Sequence, residues 1–275
     1  MNKYKIGDFA ANLGVTPDLL KHYEKYNIIS SEKRGEGGYR FYHFTQVPQI
    51  LESKKYQKLG FKLREIKNML HHNPVDTLAE SLIGKTEALA EEISDKQLVL
   101  NYAQNLCKLL QELQANSFDG KWSIGKIDSY YFFPHSKGYH FAPQSKTVLD
   151  HLSNWINSIP IAEQSCRIAF NNNEYNDLTF GLSIRKENAE TLKLYTEAPV
   201  EEYVESWGLI YQSTQTGGSP KAQDFIDRIL EKPLHILAKH HLTPNGDVLI
   251  QTLLETLDKG EKYFHRTIMI PLERV

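Results

Sequence analysis

The chain has 275 residues, 40% apolar and 24% charged, a composition that excludes a largely disordered protein and allows two ordinary domains. No apolar run approaches the length of a membrane span and MNKYKIGDFA lacks the apolar core of a signal peptide, so a cytoplasmic protein with no membrane partner is expected. Cys107 and Cys166 alone make neither a disulfide framework nor a paired-cysteine zinc site, and neither metal nor cofactor is expected.

The formal net charge of −2 hides an asymmetry: residues 1–72 hold thirteen Lys and Arg against seven Asp and Glu, a local +6 that leaves −8 for the rest. A basic segment on an acidic chain points to a polyanion such as nucleic acid. Within it Ile6, Phe9, Ala10 and Leu13 recur at three and four residues, one face of a short helix ending at Gly14. Thr16 then offers an N-cap with Pro17 at the first helical position. Leu19, Leu20 and Tyr23 carry a second helix, whose polar face holds Asp18, Lys21, His22 and Lys25. Two short helices joined by a glycine turn make a helix-turn-helix, and a partly cationic outer face suits a major groove, although a solvated surface helix reads the same way. Gly35, Gly37 and Gly38 permit a tight hairpin turn into the strand Tyr39–Tyr42, with Tyr39 and Phe41 on one side and Arg40 and Tyr42 on the other. Such a hairpin is a wing, from which an arginine and a tyrosine hydroxyl can donate to phosphate oxygens.

Helical patterns follow through Val47, Ile50 and Leu51 and through Leu63, Ile66, Met69 and Leu70, closed by Pro74. IGDFAANLGVTPDLLKHYEKYNII, GGYRFY and KLGFKLREIKNML, in that order and spacing, resemble the DNA-binding domain of the MerR family of transcription regulators. The resemblance implies a winged helix-turn-helix domain over 1–74 that binds double-stranded DNA and works with RNA polymerase. It implies contacts from Thr16, Lys21, His22 and Tyr23 on the recognition helix and from Tyr39, Arg40 and Tyr42 on the wing, with Lys58 and Lys62 on phosphates. Lys21 and His22 stand where relatives commonly carry an arginine and a tyrosine, and Asp18 where an arginine is frequent. A lysine is a point charge without the guanidinium fork, so a different recognised sequence is expected.

Over 75–116 steps of four and three pick out Leu82, Thr86, Leu89, Ile93, Lys96, Leu100, Ala103, Cys107 and Leu110, a heptad seam that is mostly apolar. The resemblance favours an antiparallel coiled coil in a homodimer, with Leu82, Leu89, Ile93, Leu100 and Leu110 as its contacts; the alternative is a helix packed on its own domain.

Residues 117–275 alternate strands and helices. IDSYYFFPHSKGY and VEEYVESWGLIY echo each other, each an aromatic-rich strand running to a glycine before an amphipathic helix, which suggests a pseudo-two-fold antiparallel α+β domain with a central cleft. The arrangement resembles the GyrI-like effector domain found behind MerR-type DNA-binding domains, and implies a small-molecule effector. Alternation along EEYVESWGLIY puts Tyr203, Glu205, Trp207, Leu209 and Tyr211 on one face, expected in the cleft, and Val204, Ser206, Gly208 and Ile210 on the face packed on helices. Tyr131, Phe133 and Tyr139 hold comparable positions in the first repeat, and Gln251 and Glu255 share a face further on. An acid between aromatics is a seat for a lipophilic cation.

The expected fold is thus α+β and multidomain, and the expected function is a dimeric transcription regulator that distorts a pseudo-palindromic promoter when a lipophilic effector is bound. The alternative is a GyrI-like hydrolase or sequestering protein fused to a DNA-binding domain. No nucleophile elbow, metal-ligand pair or phosphate loop appears, so no catalytic residue is assigned.

Overall fold

The structure is a computed structural model that describes residues 2–34, 38–72, 74–142, 145–217 and 221–273. It divides into two compact units, Met1–Ile93 and Ser94–Val275, and the division falls inside one long helix.

In the first unit β1 (Lys3–Lys5) and α1 (Ile6–Asn12) lead to α2 (Pro17–Lys25), then β2 (Glu32–Arg34), β3 (Tyr39–His43), a 3-10 turn (Phe44–Gln46), α3 (Val47–Lys58) and α4 (Leu63–His72). The turn between α1 and α2 passes through Gly14 at φ +63°, a left-handed conformation that a side chain would strain. Thr16 caps α2, its Oγ1 accepting from the Leu19 N–H at 3.2 Å, with Pro17 at the first helical position. Phe9, Ala10, Leu20, Tyr23, Ile50 and Ile66 are buried together. That core fixes α2 against α1 and leaves the polar side of α2 outward. The wing is an antiparallel sheet in the order β1-β3-β2. Gly38 turns at φ +60°; Gly35 and Gly37, expected to share that turn, lie outside the described residues.

The long helix, α5, runs Val75–Gln114. On the expected seam Leu89, Ile93, Leu100, Leu110 and Cys107 are exposed in the single chain, whereas Leu82 is partly buried against the first unit's own core.

The second unit is built on an eight-stranded antiparallel sheet. Its strands are β4 (Trp122–Ile127), β5 (Tyr130–Pro134), β8 (Glu163–Asn171), β9 (Glu174–Arg185), β10 (Glu201–Tyr203), β11 (Ser206–Thr216), β12 (Val248–Asp258) and β13 (Glu261–Pro271). A small hairpin, β6 (Ser136–Lys137) with β7 (His140–Phe141), and the helices α6 (Lys146–Asn157), α7 (Lys186–Thr191) and α8 (Ala222–Lys239) complete it. The sheet order is β10-β5-β9-β8-β12-β13-β11-β4. Read outward from the β8–β12 junction the two halves match. β5–α6–β8–β9 is one repeat and β11–α8–β12–β13 the other, which is the two-fold pattern expected from the sequence.

Two details differ from the sequence reading. VEEYVESWGLIY is not one strand: β10 is one end of the sheet order and β11 stands next to the other end, and Glu205 lies in the turn between them, its N–H donating to Ser129 Oγ at 3.0 Å. The face assignment is also inverted. Leu209 and Tyr211 are buried against Phe225 and Ile229 of α8, and Phe133 packs edge-to-face on Trp155 of α6 with ring centroids 5.4 Å apart. The bulky aromatics thus fill the helix-covered side, where large rings exclude most water. The other side carries Tyr130, Phe132, Gln251, Met269 and Ile210, and Gly208 belongs with it: a Cβ there would stand 2.4 Å from Ile127 Cδ1.

Candidate nucleic-acid interface and effector cavity

On α2 the side chains that reach solvent are Asp18, Lys21, His22 and Lys25, with Thr16 exposed at the helix start. Lys21 Nζ is paired with Asp18 at 2.9 Å, and His22 meets Tyr26 edge-on at 5.2 Å between ring centroids. Asp18 thereby holds one of the few cations of the helix, and the pair offers adjacent donors and acceptors to whatever the helix faces. Tyr39 is 66% exposed with Lys5 Nζ 5.9 Å from its ring centre, and Lys58 and Lys62 are exposed at the end of α3 and just before α4.

Two expected contacts are corrected. Tyr23 and Tyr42 are fully buried. Tyr23 donates its hydroxyl to Gln57 Oε1 at 2.5 Å, and Tyr42 donates to Glu24 Oε2 at 3.3 Å while its ring stacks on Phe9. Their rings are core, so neither hydroxyl is offered to a duplex. Arg40 stays half-exposed but spends its Nε on Glu24 at 3.0 Å. Glu24 also takes a hydrogen bond from Ser31, and its carboxyl is held below the usual range by these donors against the opposing effect of burial. The wing is thereby tied to the recognition helix through one carboxylate.

In the second unit a cavity of about 520 Å³ lies on the side of the sheet away from α6 and α8. Leu98, Tyr102, Leu106 and Leu109 of α5 roof it, and Tyr130, Glu163 and Gln251 stand on the sheet beneath. This volume is in the usual range for small-molecule sites. The charges in it are arranged unequally. Arg185 is paired with Asp128 at 2.7 Å and Lys126 with Glu205 at 2.6 Å. Among the described residues no donor reaches the Glu163 carboxylate, and burial pushes its pKa up to about 7, with Arg185 acting in the opposite sense. Burial also raises the Tyr130 and Tyr102 hydroxyls, so both rings beside Glu163 stay neutral. Gln251 forms the floor, its Nε2 donating at 2.9 Å to Ser183 Oγ, which lies 2.6 Å from Ser165 Oγ.

Of the expected effector residues only Gln251 lines this cavity. Glu205 is exposed at the β10–β11 turn and bound to Lys126, so it cannot act as a desolvated counter-ion. Trp207 is 48% exposed, and Glu255 is on the surface with Lys262 at 3.4 Å. Phe133 and Tyr211 are under the helices, Tyr131 packs against the α6 cluster, and Tyr139 stacks on Phe180 at 5.7 Å. Tyr203 lines a second cavity. Glu163, the missed residue, had a signal: Glu163, Ser165 and Arg167 alternate with the apolar Cys166 and Ile168, a polar face on a buried strand that begins two residues before SCRIAF.

The family described as "MerR HTH family regulatory protein" matches residues 4–73, the stretch that builds the helix-turn-helix, the wing and α3–α4. Residues 4–73 thus carry a MerR-type helix-turn-helix domain. The HTH-type transcriptional regulator ZntR of Escherichia coli K12 is 28% identical over 113 residues, 38% of this chain and 80% of that one. The mercuric resistance operon regulatory protein of Bacillus cereus is 37% identical over 68 residues, 25% of this chain and 52% of that protein. The HTH-type transcriptional activator mta of Bacillus subtilis 168 is 26% identical over 130 residues, 46% of each. These MerR-type relatives are transcription regulators. Among the described residues no helix is long and apolar enough to cross a membrane.

Proposed function

We propose that the chain is a homodimeric transcription regulator that binds a pseudo-palindromic promoter through the first unit, distorts it for RNA polymerase, and answers to a lipophilic cation held at Glu163. The observation that carries the effector half is a carboxylate without a donor, walled in beside two neutral tyrosines in a cavity large enough for a small molecule. A buried charge without a partner is costly, and a cation of matching shape supplies the missing partner while the rings and the α5 leucines take its apolar surface. The exposed Leu89, Ile93, Leu100 and Leu110 of α5 form an apolar seam suited to a second copy, and the domain limits 1–74, 75–116 and 117–275 follow from that reading. Anionic and neutral compounds bind less well because the cations of the cavity, Arg185 and Lys126, are already paired with Asp128 and Glu205.

The test compares tetraphenylphosphonium with the neutral triphenylphosphine oxide by calorimetry on the full chain and on Glu163→Gln. The substitution should weaken the cation about tenfold or more and the neutral compound less than about threefold. Equal losses for both compounds, or no loss for the cation, refute the assignment of Glu163.

A further inference from the structure

The cavity at Glu163 has a neighbour. A second cavity, of about 420 Å³, opens between β10 with its following turn and the segment around Asn245–Asp247, closed by Leu249, Pro271 and Leu272. Ile127, Tyr130 and Met269 wall both cavities and belong to one buried cluster with Phe132 and Leu249. The partition between the cavities therefore includes these three side chains, with the ring of Tyr130 as its aromatic part.

The second cavity repeats the chemistry of the first. Glu201 and Asp247 both lean on one guanidinium, that of Arg167, at 3.1 and 3.6 Å. Two carboxylates against one cation leave a net negative charge; Glu202 adds nothing to it, because Lys186 neutralises it at 2.6 Å. Burial raises the Glu201 carboxyl above its ordinary range, with Arg167 opposing, as for a carboxylate short of partners. The Tyr203 hydroxyl is buried in this wall beside the Arg167 guanidinium, and burial keeps it protonated. Its ring stands edge-on to Phe132 with centroids 6.3 Å apart. Apolar walls, an aromatic ring and an excess carboxylate together suit an alkylammonium group.

We infer that the second cavity takes the far cationic end of an elongated dication whose near end lies at Glu163, its apolar spacer crossing the partition beside Tyr130. The inference rests on the reading of the Glu163 cavity as the effector site. A ligand with one charge fills one cavity and leaves the second carboxylate excess unanswered. A ligand with two charges joined by a chain answers both, and its second contact is intramolecular once the first is made.

Calorimetry on the full chain can compare decamethonium, which carries a trimethylammonium at each end of an alkyl chain, with decyltrimethylammonium, which has the same chain and one charge. The unsubstituted protein should bind decamethonium about tenfold tighter. Glu201→Gln leaves one carboxylate against Arg167, so it should erase that advantage, weakening decamethonium about tenfold and decyltrimethylammonium less than about twofold. Asp247→Asn, which keeps an acceptor for the Phe170 N–H, should do the same and serves if Glu201→Gln does not fold. Absence of a dication advantage, or an advantage untouched by both substitutions, overturns the second cavity. The Glu163 reading is judged separately, by whether Glu163→Gln weakens the single-charge compound.

Discussion

The two units use charge in opposite ways. The proposed DNA-facing surface of the first spreads it over Asp18, Lys21, His22, Lys58 and Lys62, all exposed and some already paired. Each such contact is weak, screened by salt and replaceable by its neighbours. The proposed effector cavity of the second instead relies on the part-buried carboxylate of Glu163, where partial removal of water strengthens the interaction. A surface site is thus built from many residues close in sequence, and a cavity site from few that are far apart in it.

The sharpest way to break the surface half is to separate its two copies. Leu89→Asp with Ile93→Asp should turn the dimer into monomers by sedimentation and lower operator affinity by more than about 100-fold, since half-sites bound singly lose their mutual advantage. Both side chains are exposed in the single chain, so folding should survive. A double variant that still sediments as a dimer refutes the seam.

The cavity half should show in pH. With the Glu163 carboxyl titrating at about 7, the charged fraction falls about tenfold from pH 8 to pH 6, and affinity for tetraphenylphosphonium should fall by about the same factor while triphenylphosphine oxide stays flat. Stability moves the other way. A folded-state value above the unfolded one favours the neutral carboxyl in the folded chain, so the contribution is present at low pH and is lost as pH rises through about 7. The empty protein should therefore melt lower at pH 8 than at pH 5.5, and Glu163→Gln should abolish most of that difference; a melting temperature independent of the substitution at both pH values contradicts a strained carboxylate.

Smaller effects mark the distributed surface. Arg40→Ala should weaken binding to any duplex by several-fold at most and reduce the salt slope by less than about one, because Glu24 already offsets part of the guanidinium charge. Fluorescence anisotropy across a salt series measures both, and a change confined to one operator sequence would mean that Arg40 reads bases. Smallest of all is Glu205→Gln, expected to change cation affinity by less than about twofold, since its carboxylate is bound to Lys126 in solvent. A large loss there would reopen the β10–β11 turn as part of the effector site.

This division also explains what could be read from the sequence. In the first unit Gly14, Thr16 and Pro17 set the helix-turn-helix within a few residues, and the apolar spacing fixed which sides are buried. The exceptions were Tyr23 and Tyr42, whose hydroxyls suggested an outward role; only the packing of α1, α3 and β3 around them shows that Phe9, Glu24 and Gln57 claim them. In the second unit the repeat of strand and helix was visible, but alternation gives two faces without saying which one the helices cover. Choosing the face with Tyr211 and Phe133 as the cleft inverted the assignment, because in this sheet the largest rings pack under α6 and α8. Glu163 escaped because its neighbours in the cavity come from α5, β5 and β12, so that the alternation of Glu163, Ser165 and Arg167 marks a polar strand face without showing what it meets.

At the proposed site, the raised pKa of the Glu163 carboxyl makes cation binding a proton event. Near pH 7 about half of the empty cavities carry the carboxyl proton, and a cation seated there expels it, releasing on the order of half a proton per site. The heat of binding then depends on the buffer that receives the proton, and acidification of the medium competes with the effector for the same oxygen atoms.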